Sequence, residues 1–174
     1  MRNLNSDLTI RLASTDDIAS ITQLYSAEVS NGIASFEDVP PTVDQMRQRY
    51  NDIVELGLPY LVACRNDNVI GYAYASRYRP RPAYRFTVEN SIYIAPDYHG
   101  LGVGESLFAP LLAACEKAGK KQMIAAISLE VDAQENASVR FHKKMGFRTI
   151  GTIEHAGFKF GRWLNTQLMQ RAIV

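Results

Sequence analysis

Residues 86–107, FTVENSIYIAPDYHGLGVGESL, constrain the fold more than any other stretch of the chain. An alternating apolar run ends at Pro96, and a glycine-rich segment then opens into an apolar pattern of helical period. A strand, a tight turn and a helix N-terminus must therefore follow one another. Gly100, Gly102 and Gly104 have no side chains, so backbone N–H groups can close around an anion. The positive end of the helix dipole would lie just behind them. The expectation is a phosphate cradle.

Spacing narrows the kind of cradle. A Walker A loop ends in Gly-Lys-Ser/Thr, whereas Gly104 is followed by Glu105 and Ser106. A dinucleotide fingerprint needs Gly-x-Gly-x-x-Gly, and Gly102-Val103-Gly104-Glu105-Ser106-Leu107 does not supply it. Neither an NTPase nor a dinucleotide fold is expected.

Periodicity places the remaining elements. Strands are expected at Leu8–Ala13, Tyr60–Arg65, Val69–Tyr78, 86–95, Gln122–Val131, Phe147–Glu154 and Thr166–Ala172, with a loop at 155–165. A capping box at Ser14–Asp17 starts a first helix, and Thr42 with Gln45 starts a second. The helix behind the glycines should span Val103–Lys117, and a short one should span Asn136–Met145. The order βααβββαβαββ over one domain, residues 1–174, gives an α+β sheet with helices on both faces.

Several function classes are disfavoured. The net charge is +1, so nothing calls for nucleic acid or an anionic membrane as partner. No apolar run approaches the ~20 residues of a membrane span. The opening MRNLNSDLTI lacks the apolar core of a signal peptide. Cys64 and Cys115 make no disulfide framework, and a reducing cytoplasm is expected. His99, His142 and His155 lack metal-ligand spacing with cysteines or carboxylates, so no metal is expected.

Glu89 is the candidate base. It lies in the strand that leads to the cradle, on one face with Thr87, Ser91 and Tyr93. Four arginines, Arg77, Arg79, Arg81 and Arg85, cluster just before it, and guanidinium forks match carboxylates and phosphinates. From pattern alone, an exposed Glu89 in an ion pair and a solvated arginine loop remain equally open readings.

The run His99-Gly100-Leu101-Gly102-Val103-Gly104 resembles the Arg/Gln-x-x-Gly-x-Gly/Ala signature of the GNAT N-acetyltransferases, with His99 where Arg or Gln is usual. The likeness extends along the chain to Phe36, to Tyr84-x-x-Thr87-x-Glu89-x-Ser91-x-Tyr93, to Asn136-x-Ser138-Val139-Arg140-x-His142 and to Ala156-Gly157-Phe158-Lys159-x-Gly161-x-Trp163. These segments resemble the phosphinothricin and methionine sulfoximine acetyltransferase branch.

The resemblance implies a mixed, mostly antiparallel sheet with a strand pair splayed at the cofactor. It implies acetyl-CoA as co-substrate, held by residues 100–105, namely Gly100, Leu101, Gly102, Val103, Gly104 and Glu105. Ile92, Tyr93, Ile94, Asn136 and Ser138 would line its pantetheine arm. Glu89 would be the general base and His142 the acid for the leaving thiolate. Phe36, Arg79, Arg81, Tyr84, Thr87, Lys159 and Trp163 would hold a small amino-acid-like substrate, in a homodimer. The branch often has His where Phe160 stands and His-Asp where Leu164-Asn165 stand, which would shift the substrate range. Two alternatives stay open: acetylation of peptide N-termini, and CoA sensing without turnover.

Overall fold

The computed structural model describes residues 7–173. The first six residues, part of the segment read against a signal peptide, lie outside the described residues. The elements follow in the expected order: β1 (Leu8–Leu12), α1 (Ile18–Asn31), α2 (Val43–Glu55), β2 (Tyr60–Arg65), β3 (Asn68–Arg77), β4 (Thr87–Ile94), α3 (Val103–Lys117), β5 (Gln122–Glu130), α4 (Ala137–Lys144), β6 (Arg148–Lys159) and β7 (Arg162–Ala172).

Local chemistry sets the boundaries. At the start of α2 the Thr42 N–H donates to Gln45 Oε1 at 2.8 Å, and the Gln45 N–H donates to Thr42 Oγ1 at 3.2 Å. Ahead of α1 the Asp17 carboxylate accepts the Ser14 N–H at 2.7 Å and both prongs of the Arg11 guanidinium, which ties β1 to the helix. Asn66 and Asp67 have φ of 48° and 63°, the paired left-handed residues of a tight hairpin turn, so β2 folds back on β3. Pro110 lies at an exposed position inside α3 and does not end it.

The strands form one sheet in the order β1-β2-β3-β4-β5-β7-β6. Every neighbouring pair is antiparallel except β4 with β5. That parallel pair is registered only from Thr87↔Gln122 to Glu89↔Ile124. Beyond Glu89 the two strands part, leaving their facing backbone groups without ladder partners. This is the expected splay.

Alternation divides the two faces. Tyr60, Tyr72, Tyr74 and Tyr93 stack on one face and meet Tyr25 of α1 and Tyr50 of α2 edge-on. Asn90 points to the other face and bonds His142 of α4. There Phe141 meets Phe108 of α3. Helices therefore cover both faces. Among the described residues no helix is long and apolar enough to cross a membrane. Cys64 and Cys115 are buried and free, and burial pushes the Cys115 thiol up to about 12, which makes it inert.

One expectation is corrected. Residues 155–165 do not form a loop; β6 and β7 continue through them to a two-residue turn at Phe160-Gly161. The strand signal failed there for two reasons. β6 is an edge strand exposed on both faces for most of its length, so it shows no apolar alternation. It also carries a bulge, with His155 at φ 49° and a register shift between Ile153 and Gly157. Asn165 Oδ1 accepts the His155 N–H at 2.9 Å and braces the bulge, while Leu164 is fully buried. These two departures from the branch pattern are built into the hairpin.

Candidate active site

The gap between β4 and β5 is a cleft of about 170 Å³. It gathers Glu89, Ile92, Tyr93, Asn136, Ser138 and His142 from the expected set. It also recruits groups that sequence reasoning missed: Asn90 and Ser91 of β4, Ala125–Ser128 of β5, and Ile33 with Ala34 from the α1–α2 loop. The polar character of Asn90 beside Glu89 was the only available signal. A loop residue such as Ile33 gives none, because its place depends on how the loop docks.

Glu89 stands where the splay begins, at the last paired position. Burial alone holds its carboxyl above the ordinary 4.5. A carboxylate raised toward neutrality without a cation is suited to accept a proton.

Asn136 begins α4. Its Oδ1 accepts the Val139 N–H at 2.9 Å, and its Nδ2 donates to the Ser128 carbonyl at 2.9 Å. The residue thus locks α4 against the far wall of the splay. His142, 6% exposed, faces Asn90 with Nε2 at 3.0 Å and the Ser138 carbonyl with Nδ1 at 2.8 Å. Burial lowers its titration below the usual 6.5, opposed by the Ser138 carbonyl.

The glycine segment follows β4 as expected. Gly100 and Gly102 take φ of 72° and 83°, and Gly102 is the N-cap of α3. No other residue type adopts that sequence of turns without strain. A Cβ at either glycine would meet no heavy atom within 4 Å, so the left-handed backbone and not crowding calls for glycine there. His99, in place of Arg or Gln, donates from Nε2 to the Ile94 carbonyl at 2.8 Å and ties the loop to the strand end. The Glu105 side chain turns away to pair with Lys144. Loop amides and helix terminus fit a pyrophosphate, and the unpaired edges of β4 and β5 fit the amide-bearing arm of CoA.

The expected substrate residues do not converge in this cleft. Arg79 and Arg81 are exposed, with Arg79 lying over the rings of Tyr78 and Tyr84. Thr87 sits at the start of β4, Trp163 is exposed on β7, and Phe36 packs against Gly157, where a Cβ would come within 2.6 Å of its ring. Lys159 is 3% exposed and donates to the carbonyls of Gly32 at 3.0 Å and Ser35 at 2.7 Å.

Lys159 therefore pins the loop that carries Ile33 and Ala34 into the cleft. The same loop is held from below by Tyr25, bonded to Ser35 and Glu37, and by Arg49 on Glu37. Lys159→Met leaves two carbonyls without their donor. It is expected to raise KM for the amine substrate about tenfold, less than the direct loss of two charge-assisted bonds because Tyr25 and Arg49 still hold the loop, with KM for acetyl-CoA unchanged in steady-state assays.

A splayed parallel pair, a glycine cradle at the end of its first strand and a lone carboxylate at the apex define an acyl-CoA-dependent N-acetyltransferase. Residues 20–147 match the model of the acetyltransferase (GNAT) family, and the chain belongs to that family, whose acetyl donor is acetyl-CoA. Within it the chain falls in the phosphinothricin and methionine sulfoximine acetyltransferase branch. It is 48% identical to a phosphinothricin N-acetyltransferase of Alcaligenes faecalis, over 95% of this chain and 82% of that one. It is 36% identical to an L-methionine sulfoximine/L-methionine sulfone acetyltransferase of Salmonella typhimurium, over 94% and 93%. The crystal structure of a phosphinothricin acetyltransferase from Sinorhizobium meliloti in complex with acetyl-CoA superposes with a TM-score of 0.90 at 42% identity, over 96% of this chain and 89% of that one.

Proposed function

We propose that this enzyme transfers the acetyl group of acetyl-CoA to the α-amino group of small amino-acid-like substrates, such as phosphinothricin, methionine sulfoximine and methionine sulfone, by direct attack. The observation that carries the reading is Glu89, raised by burial and placed where β4 and β5 part. Glu89 takes a proton from the ammonium group, directly or through water. Backbone amides of residues 100–105 hold the pyrophosphate, with Ile92, Tyr93, Ile94, Asn136 and Ser138 along the pantetheine. When bound, acetyl-CoA supplies an activated thioester carbonyl.

Phe36, Tyr84, Thr87, Trp163 and Lys159 shape the substrate side. Arg79 and Arg81 receive the substrate's carboxylate or phosphinate. Support comes from the ion pairs of the described residues, none of which includes either arginine. The enzyme works in the cytoplasm without metal, nucleic acid or membrane. Acting on phosphinothricin, it would confer resistance to that herbicide.

Thiol release from acetyl-CoA tests the substrate class. Turnover is expected with methionine sulfone and phosphinothricin and not with a peptide. Turnover on peptide alone, or acetyl-CoA binding with no turnover on any amine, would replace this reading by N-terminal acetylation or by sensing.

The enzyme acts as a homodimer. The edge strand β6 exposes Ile150, Ile153 and Phe158, with the exposed Trp163 of β7 paired beside Phe158, an apolar surface that a second copy would cover. Sedimentation equilibrium should give twice the 19.5 kDa of the chain. Trp163→Glu should give the monomer.

A further inference from the structure

One residue of the cleft wall carries an unpartnered polar atom. Asn90 is 6% exposed, and its Oδ1 is sealed from solvent without a hydrogen-bond partner. Buried acceptors are nearly always bonded, so an orphan beside a ligand cleft marks a donor that arrives with the ligand.

The orientation of Asn90 follows from His142. The Ser138 carbonyl can only accept, so its 2.8 Å contact assigns a proton to His142 Nδ1. Phe141 and Phe147 pack edge-on against the ring. Glu89 and Tyr93 are the other titratable side chains of the cleft wall, and neither contributes to the titration of His142. Burial keeps the imidazole neutral, so Nε2 carries a lone pair. Its partner at 3.0 Å must then be the donor end of Asn90, Nδ2. That leaves Oδ1 as the free end. A charged His142 would demand the opposite orientation.

We infer that Asn90 contacts the reacting groups, its Oδ1 accepting a hydrogen bond from the amine N–H or from the S–H of released CoA. His142 is the positioning residue that fixes this carboxamide, not the acid that protonates the leaving sulfur. The inference rests on the proposed acetyl transfer. The proton balance permits it. The ammonium gives one proton to Glu89, and the nitrogen lone pair forms the C–N bond. The C–S bonding pair leaves with sulfur. The adduct still carries a second proton that the amide product must lose, and this proton satisfies the thiolate. No enzyme acid is required.

The test compares wild type with Asn90→Ala, Asn90→Ser, His142→Ala, His142→Gln and the Asn90→Ala/His142→Ala double variant. Methionine sulfone and acetyl-CoA kinetics are followed across pH, and CoA and acetyl-CoA affinities are measured by calorimetry. Asn90→Ala and His142→Ala should each lower kcat/KM about tenfold, and the double variant no further. His142→Gln, which returns an acceptor to the Nε2 position, should recover to within about threefold of wild type and keep the shape of the pH profile. A loss confined to methionine sulfone parameters identifies the amine as donor. A loss of CoA affinity with acetyl-CoA affinity intact identifies the thiol.

Wild-type activity and CoA affinity retained in both Asn90 variants would overturn the inference. So would a His142→Gln enzyme as impaired as His142→Ala and missing one limb of its pH profile. Should wild type acetylate no amino acid, the proposed function fails by itself. The CoA affinity of Asn90→Ala then decides alone: weakened supports the contact, unchanged overturns it.

Discussion

Replacing Glu89 by Gln should lower kcat at least a hundredfold while acetyl-CoA binds as in the wild type. General bases contribute about 10²–10⁴-fold, and the cleft offers no second carboxylate to substitute. Gln keeps the shape and loses the lone pair that takes the proton. The cradle at residues 100–105 is not built from this side chain, so calorimetry with acetyl-CoA should show no change. The wild-type pH profile of kcat/KM should fall on the acid side with a midpoint above 4.5, because burial raises Glu89.

The same substitution should stabilise the fold at neutral pH. Burial raises the native carboxyl above its unfolded value, so the unfolded chain gives up this proton first as pH rises. The native state therefore loses stability from about pH 4.5 up through the raised native value, and no more beyond it. Glu89→Gln removes that loss. Thermal melts should show the variant more stable at pH 7 and equal to wild type below pH 4. Equal melting at both values would mean that Glu89 is solvated and not poised as a base.

Gly102→Val should raise KM for acetyl-CoA about a hundredfold. Gly102 sits at φ 83° as the N-cap of α3. A β-branched residue is a true outlier there and costs of order 1–3 kcal/mol. A Cβ at this position meets no protein atom within 4 Å, so the cost is the backbone strain and the chain is expected to fold. The strain is expected to be relieved by rotating the turn, which would turn its N–H groups away from the pyrophosphate. Losing two charge-assisted bonds at roughly 1.5 kcal/mol each corresponds to about a hundredfold. At saturating acetyl-CoA, kcat should stay within a few-fold of wild type, since Glu89 and the apex of the splay are untouched. A variant with unchanged KM would mean that the anion is held elsewhere.

Element order was legible because β4, α3 and β5 are each buried on at least one face. Their apolar positions therefore recur at the period of the element. The cradle was legible because glycine spacing is a backbone requirement and needs no tertiary context. Both strands of the β6–β7 hairpin were legible, but their continuation through residues 155–165 was not. Over 155–165 the edge strand has no buried face to set an apolar pattern, and Gly157 and Gly161 read as loop residues.

Lys159 shows the same limit for a side chain. The resemblance set it on the substrate side. The carbonyls of Gly32 and Ser35 that receive it lie more than 120 residues away in sequence. Only the polar character of Asn90 beside Glu89 could be read in the sequence, because the role inferred for it depends on which nitrogen of His142 carries the proton, and the Ser138 carbonyl decides that.

By itself the sequence determined the element order and the glycine turn ahead of α3, since each is carried by residue types at short range, while it offered Glu89 as a base only through the family resemblance. The tertiary structure alone decided where β4 and β5 part, which loop walls the cleft and which end of Asn90 is free. Those depend on contacts between segments far apart in the chain, where hydrogen-bond direction and burial act together.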